Sequence, residues 1–131
     1  MTLTITSFLT ATFGLMLVAL SIYTSLRRRE LLVAHGDAGD TELKHRIRAH
    51  GNFIENAPFL LILTGCLELA QAPEWVVALF ALAVLVARLM HVVGTLMGKS
   101  AKLRAAAMVV QHTATLVGCL YLFVLVIWPT V

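Results

Sequence analysis

From Thr2 to Leu26 the chain carries no charged side chain. A helix rising about 1.5 Å per residue over that length reaches across a hydrocarbon core of about 30 Å. In water such a run would have to be wrapped by the rest of a chain of only 131 residues. In lipid, helical hydrogen bonding satisfies its backbone and its side chains are already solvated. The run has no basic leading segment and is longer than the apolar core of a secretion signal, so it is expected to remain as a membrane helix in a mature chain starting near Met1. Composition agrees: hydrophobic residues make up 60% and charged residues 13%, with mean hydropathy +0.89. The charged share is about half the usual one, which leaves few side chains to cover a water-facing surface.

Three further runs follow. Arg27, Arg28 and Arg29 are expected to stop the first helix, and Gly36 and Gly39 among mixed charges mark a loop. Asp40 or Thr41 can cap a second helix, with Glu42 in its first turn, extending to about Ala70 with its polar N-terminal turns projecting from the bilayer. Gln71-Ala72-Pro73-Glu74 makes a tight connection, Pro73 suiting a helix start and Trp75 the interface. The third run reaches about Met97, and the fourth runs from Ala101 to Trp128-Pro129. The expected fold is an all-α membrane protein, a bundle of four transmembrane helices (2–26, 41–70, 74–97, 101–128) in one domain over residues 1–131. No internal repeat or low-complexity tract suggests another architecture.

The +3 net charge is no nucleic-acid signal, because every Lys and Arg except Arg88 falls between apolar runs, at 27–48 and 99–104. That distribution is a topology signal: both basic loops on the cytoplasmic side, both termini on the other. Cys66 and Cys119 sit singly inside apolar runs, without the spacing of a zinc site or a CxxC pair, so neither a metal nor a disulfide is expected.

Ionisable groups inside a span cost several kcal/mol, so those that persist usually face a partner or a cavity. At about 100° per residue Arg48, Asn52 and Glu55 share one face of the second helix, expected to be a buried polar stripe, with Asn56 at its edge and Arg46, His50 and Phe53 pointing elsewhere. Arg88, His91 and Thr95 share a face of the third helix; Arg104, Met108, Gln111 and Thr115 gather on the fourth. Structural readings compete. Arg48 can be a snorkelling anchor, Glu55 and Arg88 can pair across helices, and His91 can be an interhelical hydrogen-bonder. Glu68, on the opposite face, reads as exposed or as a subunit contact. Pro58 removes a backbone donor, frees the Ile54 carbonyl and is expected to bend the helix beyond Glu55. A guanidinium, an amide and a carboxylate within about 10 Å of helix suit a small zwitterion better than a simple ion pair requires.

The segment Arg48-Ala49-His50-Gly51-Asn52-Phe53-Ile54-Glu55-Asn56-Ala57-Pro58 resembles the signature of the MAPEG proteins, the membrane-associated proteins in eicosanoid and glutathione metabolism. Arg88-Leu89-Met90-His91 and the later Lys102-Leu103-Arg104 are similar to the third helix and following turn of that family's prostaglandin synthase branch. The resemblance implies a homotrimer of four-helix subunits with glutathione bound between neighbours near the cytoplasmic side. It implies glutathione contacts from Arg48, Asn52, Glu55 and His91, a pairing role near the ligand for Arg88, and a catalytic role for Arg104 in stabilising the thiolate. A looser match adds Arg27 to Arg29. Where better-known members carry tyrosines this chain has Thr95 and Asn56, so prostaglandin or leukotriene synthesis is not expected.

A cysteine-type thiol has a pKa of about 8.5 and is mostly protonated at neutral pH, while the thiolate is the nucleophile; a nearby guanidinium shifts that balance. The implied activity is a glutathione-dependent transferase or peroxidase acting on a small hydrophobic electrophile that arrives through the lipid. The alternative is a non-enzymatic scaffold of the same fold that binds a lipid or partner. A small channel or transporter would show broken half-helices, which this sequence lacks.

Overall fold

The computed structural model describes residues 2–98 and 100–128. Met1, Lys99 and Pro129, which enter the expectations about the chain start, the second basic loop and the end of the fourth helix, lie outside the described residues. Within them the chain forms four helices and no strand: α1 Thr4–Glu30, α2 Thr41–Leu69, α3 Glu74–Leu96 and α4 Ala101–Ile127.

The expected stop at Arg27 is a correction. α1 continues one more turn, because cations in a last turn complement the helix dipole and Arg27 is held at 2.8 Å by both Glu30 and Asp40. It ends in a Schellman turn: Val33 N–H donates to the Arg28 carbonyl (3.0 Å) and Leu32 N–H to Arg29 (3.2 Å), with Leu32 at φ 55°. A leucine in the left-handed region gives no glycine signal. α2 ends the same way at Gln71, φ 59°, through Ala72 N–H to the Leu67 carbonyl at 3.0 Å. α2 starts at Asp40, whose carboxylate accepts from Leu43 N–H at 2.6 Å. Arg27 and this cap together hold the Asp40 carboxyl below the usual aspartate range.

α2 and α3 form the middle of the bundle. α1 packs chiefly on α2 and α4 chiefly on α3, and α1 and α4 do not touch. Phe13 meets Phe53 edge to face at 5.4 Å between α1 and α2. Toward the basic end Arg46 lies 3.5 Å over the Tyr23 ring, donates to the Tyr23 carbonyl at 2.6 Å and pairs with Glu42. At the other end Glu68, expected to be exposed or in a subunit contact, is half-buried and has an intrachain role. Its carboxylate accepts from Ile5 N–H (3.0 Å), Thr6 N–H (2.7 Å) and the Thr6 hydroxyl, capping α1, whose own N-cap Leu3 supplies no side-chain bond.

α3 and α4 approach closely where glycine permits it. A Cβ at Gly94 would stand 3.1 Å from Arg104 Cγ, and one at Gly118 would stand 2.9 Å from Phe80. α1, α3 and α4 are long and apolar enough to cross a membrane. α2 is as long but falls short of that standard, because its first half holds Lys44, Arg46, Arg48 and Glu55. Large apolar side chains such as Phe8, Leu15, Ile62, Leu116 and Phe123 point outward, as lipid solvation permits.

Candidate functional site

α2, α3 and the start of α4 enclose a cavity of about 530 Å³ at the basic end of the bundle, the size of a small-molecule site. Arg48, Asn52 and Glu55 line it from α2, His91 and Thr95 from α3, and Arg104 from α4. The helical phase of each stripe accounts for this: residues three, four or seven apart point the same way, and the three stripes converge where the helices meet. Gly94 lets the first turn of α4 settle against α3, so Arg104 Nη1 reaches the Gly94 carbonyl at 3.3 Å and keeps its remaining donors for the cavity.

The stripe is not buried in the single chain, which corrects the expectation. Arg48 and Glu55 are exposed and Asn52 half-buried, because the cavity opens outward along α2. Neither Arg48 nor Glu55 makes an ion pair among the described residues. The expected alternative of a Glu55–Arg88 pair is therefore overturned. Arg88 does not reach the wall either: it is 1% exposed and sits behind Asn52, donating through Nη1 to Asn52 Oδ1 at 2.9 Å and through Nη2 to the Met108 sulfur at 3.8 Å. Its Nε has no partner, and no carboxylate lies within ion-pair distance of it among the described residues. An enclosed cation of this kind raises the potential of the space in front of it and favours an anion there.

Arg88 has only donors to offer, so it turns the Asn52 oxygen toward itself and leaves the Asn52 N–H₂ to the cavity. Asn56 donates to the Asn52 carbonyl at 2.8 Å, which a carbonyl can only accept, so Asn56 must present Oδ1 to α4, where Gln111 Nε2 donates to it at 2.7 Å. Arg88 thus orients the Asn52 amide, while the Asn52 backbone carbonyl orients Asn56 and through it Gln111. Thr95 uses its hydroxyl hydrogen on the His91 carbonyl at 2.7 Å.

The cavity wall also includes His45, Ile47 and Gly51. His45 precedes Arg48 by three residues and Asn52 by seven, so the same helical spacing contained the signal. Its imidazole fills the space over Gly98, where a Cβ would come within 2.7 Å of the ring. Among the described residues no group of three or more His, Cys, Asp or Glu could hold a metal ion.

The sequence model of the MAPEG family matches residues 6–126. The chain is also 36% identical over 81 residues to the inner membrane protein YecN of Escherichia coli K12, a segment that spans 62% of this chain and 62% of the relative's length. The YecN protein of Escherichia coli O6:H1, strain CFT073, matches with the same identity and extent.

Proposed function

The chain belongs to the MAPEG family, as an integral membrane protein of four helices, and we propose that it is a glutathione-dependent transferase or peroxidase acting on hydrophobic electrophiles. The observation that carries this reading is the convergence of Arg48, Asn52, Glu55, His91 and Arg104 on one cavity of about 530 Å³ backed by the enclosed cation of Arg88. A zwitterionic tripeptide thiol brings two carboxylates, one ammonium and one sulfur, and the wall answers each. Arg48 and the freed Asn52 N–H₂ donate to carboxylates, and Glu55 accepts from the ammonium. Arg104 stands where it can donate to the sulfur.

Bound glutathione supplies the sulfur nucleophile. The Arg104 guanidinium, permanently charged, lowers the free energy of the thiolate relative to the thiol, and Arg88 adds to the same field from behind Asn52. The imidazole of His91, on the same wall, can take the thiol proton. The outward opening along α2 fits closure by a neighbouring subunit, so the proposal includes a homotrimer with a site at each interface. The charge distribution supports basic loops and site on the cytoplasmic side and termini on the other.

The rival reading is a scaffold of the same fold. It is favoured by one observation: Thr95 stands where better-known members carry a tyrosine, and its hydroxyl is used on the His91 carbonyl. Isothermal titration with glutathione separates the two. The parent should bind, and loss of one charge-assisted contact in Arg48→Ala should weaken affinity roughly 10- to 100-fold. Arg104→Ala should bind nearly as well while losing the ultraviolet absorbance of the thiolate. No heat of binding by the parent refutes the proposal.

A further inference from the structure

His45 stands on the cavity wall with no task in the reaction as described. It lies in the second turn of α2, three residues before Arg48 and seven before Asn52, and so shares their face. The residue is half-buried, with its ring over the α3–α4 turn. Ring atoms Cε1 and Nδ1 lie 2.7 and 3.0 Å from where a Cβ at Gly98 would stand, and Nε2 lies farther off at 3.7 Å. Glycine is required there on two counts: its φ is 65°, which residues with a Cβ rarely adopt, and the ring needs the room. The turn is thus shaped around the His45 ring, with the Nδ1 edge against it and Nε2 as the nitrogen farther from it. His45 forms no ion pair among the described residues.

The surrounding charges decide what such a ring is suited to. On α2, Arg48 and Glu55 share its wall, while Glu42, one turn back, is committed to Arg46 and also lies 3.6 Å from Arg27 of α1. α3 contributes the His91 imidazole and α4 the Arg104 guanidinium, with Arg88 enclosed behind Asn52. Three guanidinia therefore stand against one uncommitted carboxylate, Glu55. A fourth positive charge has no partner on this wall by itself, and two carboxylates of a bound ligand reverse that balance. Imidazole is the side chain whose charge ordinarily changes between about pH 5 and 8. Of the two on the wall, His91 must be neutral to accept the thiol proton, which leaves His45 as the group able to gain a charge when the ligand arrives.

We propose that His45 is a specificity-determining residue of this cavity: as the imidazolium it donates through Nε2 to a carboxylate of the bound thiol ligand, so that binding takes up a proton. The inference rests on the thiol reading of the cavity and adds a pH dependence to it. A carboxylate against the ring favours the charged form. The gain in affinity is therefore complete below the ordinary imidazole range and is lost as pH rises through it.

The test is isothermal titration of the purified full chain with S-methylglutathione, whose blocked sulfur has no proton to release. Titration at pH 7 in buffers of different ionisation enthalpy counts the protons taken up, and the parent should take up about half a proton per ligand. Its affinity should be about fivefold higher at pH 6 than at pH 8. His45→Gln should match the parent at pH 8, take up no proton and show no gain at pH 6, a pattern that loss of packing over Gly98 does not produce. A second measurement needs no variant: amidation of one of the two ligand carboxylates should abolish the uptake in the parent. Binding by the parent without proton uptake overturns the proposal, as does uptake that survives amidation of either carboxylate. Uptake that persists in His45→Gln and disappears in His91→Gln assigns the proton to the other imidazole and overturns it too. A parent that binds without uptake loses only the role of His45, whereas a parent that does not bind at any pH loses the thiol reading and this inference with it.

Discussion

Replacing Asn52 should expose the cost of the enclosed Arg88 charge. In the folded chain Arg88 Nη1 has Asn52 Oδ1 at 2.9 Å and the Asn52 carbonyl only at 3.5 Å, Nη2 has a thioether sulfur at 3.8 Å, and Nε has nothing. Asn52→Leu removes the one short oxygen contact of a guanidinium that is 1% exposed. A hydrogen bond to a charged group is worth about 1.5–3 kcal/mol, and its loss at a buried charge lies toward the upper end. The single variant should therefore lose about 2–3 kcal/mol. The double variant Asn52→Leu/Arg88→Met removes both partners and leaves apolar side chains of similar length, so it should recover most of that loss and be more stable than the single. Equilibrium unfolding in mixed micelles, followed by far-ultraviolet circular dichroism, measures both. An Asn52→Leu variant as stable as the parent, or a double variant less stable than the single, refutes the assignment of Arg88 as an unpaired cation held by one amide. Both variants should lose glutathione affinity, since both lack the Asn52 N–H₂.

Other elements give independent tests. The Asp40 carboxyl is held low by Arg27 and by Leu43 N–H, so the folded state favours the carboxylate. Its stabilisation is complete above the ordinary aspartate value of about 3.9 and fades as pH falls through the lower folded value. Hydrogen-exchange protection at the α1–α2 junction, taken relative to the intrinsic exchange rate at each pH, should fall on that acid side and be constant above pH 5 or so. Gly118→Ala sets a Cβ 2.9 Å from Phe80 Cε2 and 3.3 Å from a Leu63 methyl group, and overpacking of this kind should cost about 1–3 kcal/mol in the same unfolding assay. Glu68→Ala leaves Ile5 and Thr6 N–H without their acceptor, so the first turn of α1 should fray, with faster exchange there and a loss of about 1–2 kcal/mol.

Much of the helix framework was legible because each feature depends on neighbours in sequence. The uncharged run to Leu26, Asp40 ahead of an amphipathic segment, and the Pro73 turn each carry their own local physics. The error at Arg27 arose from treating charge as a stop signal, when a cation in a last turn is favourable and the Asp40 carboxylate that receives it lies thirteen positions on. The turns at Leu32 and Gln71 were invisible for a related reason: a left-handed residue that is not glycine is imposed by the hydrogen bonds around it.

For the polar residues, helical phase predicts which side chains share a face, but not how deep that face lies or which partner crosses to it. Phase brought Arg48, Asn52 and Glu55 together and likewise His91 with Thr95, and it would have added His45. It could not choose between Glu55 and Asn52 as the partner of Arg88, because both lie on the side of α2 that α3 approaches. The choice has a chemical consequence. Had Arg88 taken Glu55, the cavity would have lost its carboxylate and gained little field. By taking the Asn52 oxygen, Arg88 leaves Glu55 free and points the Asn52 donors at the cavity. One interhelical hydrogen bond thus shapes the polar cavity.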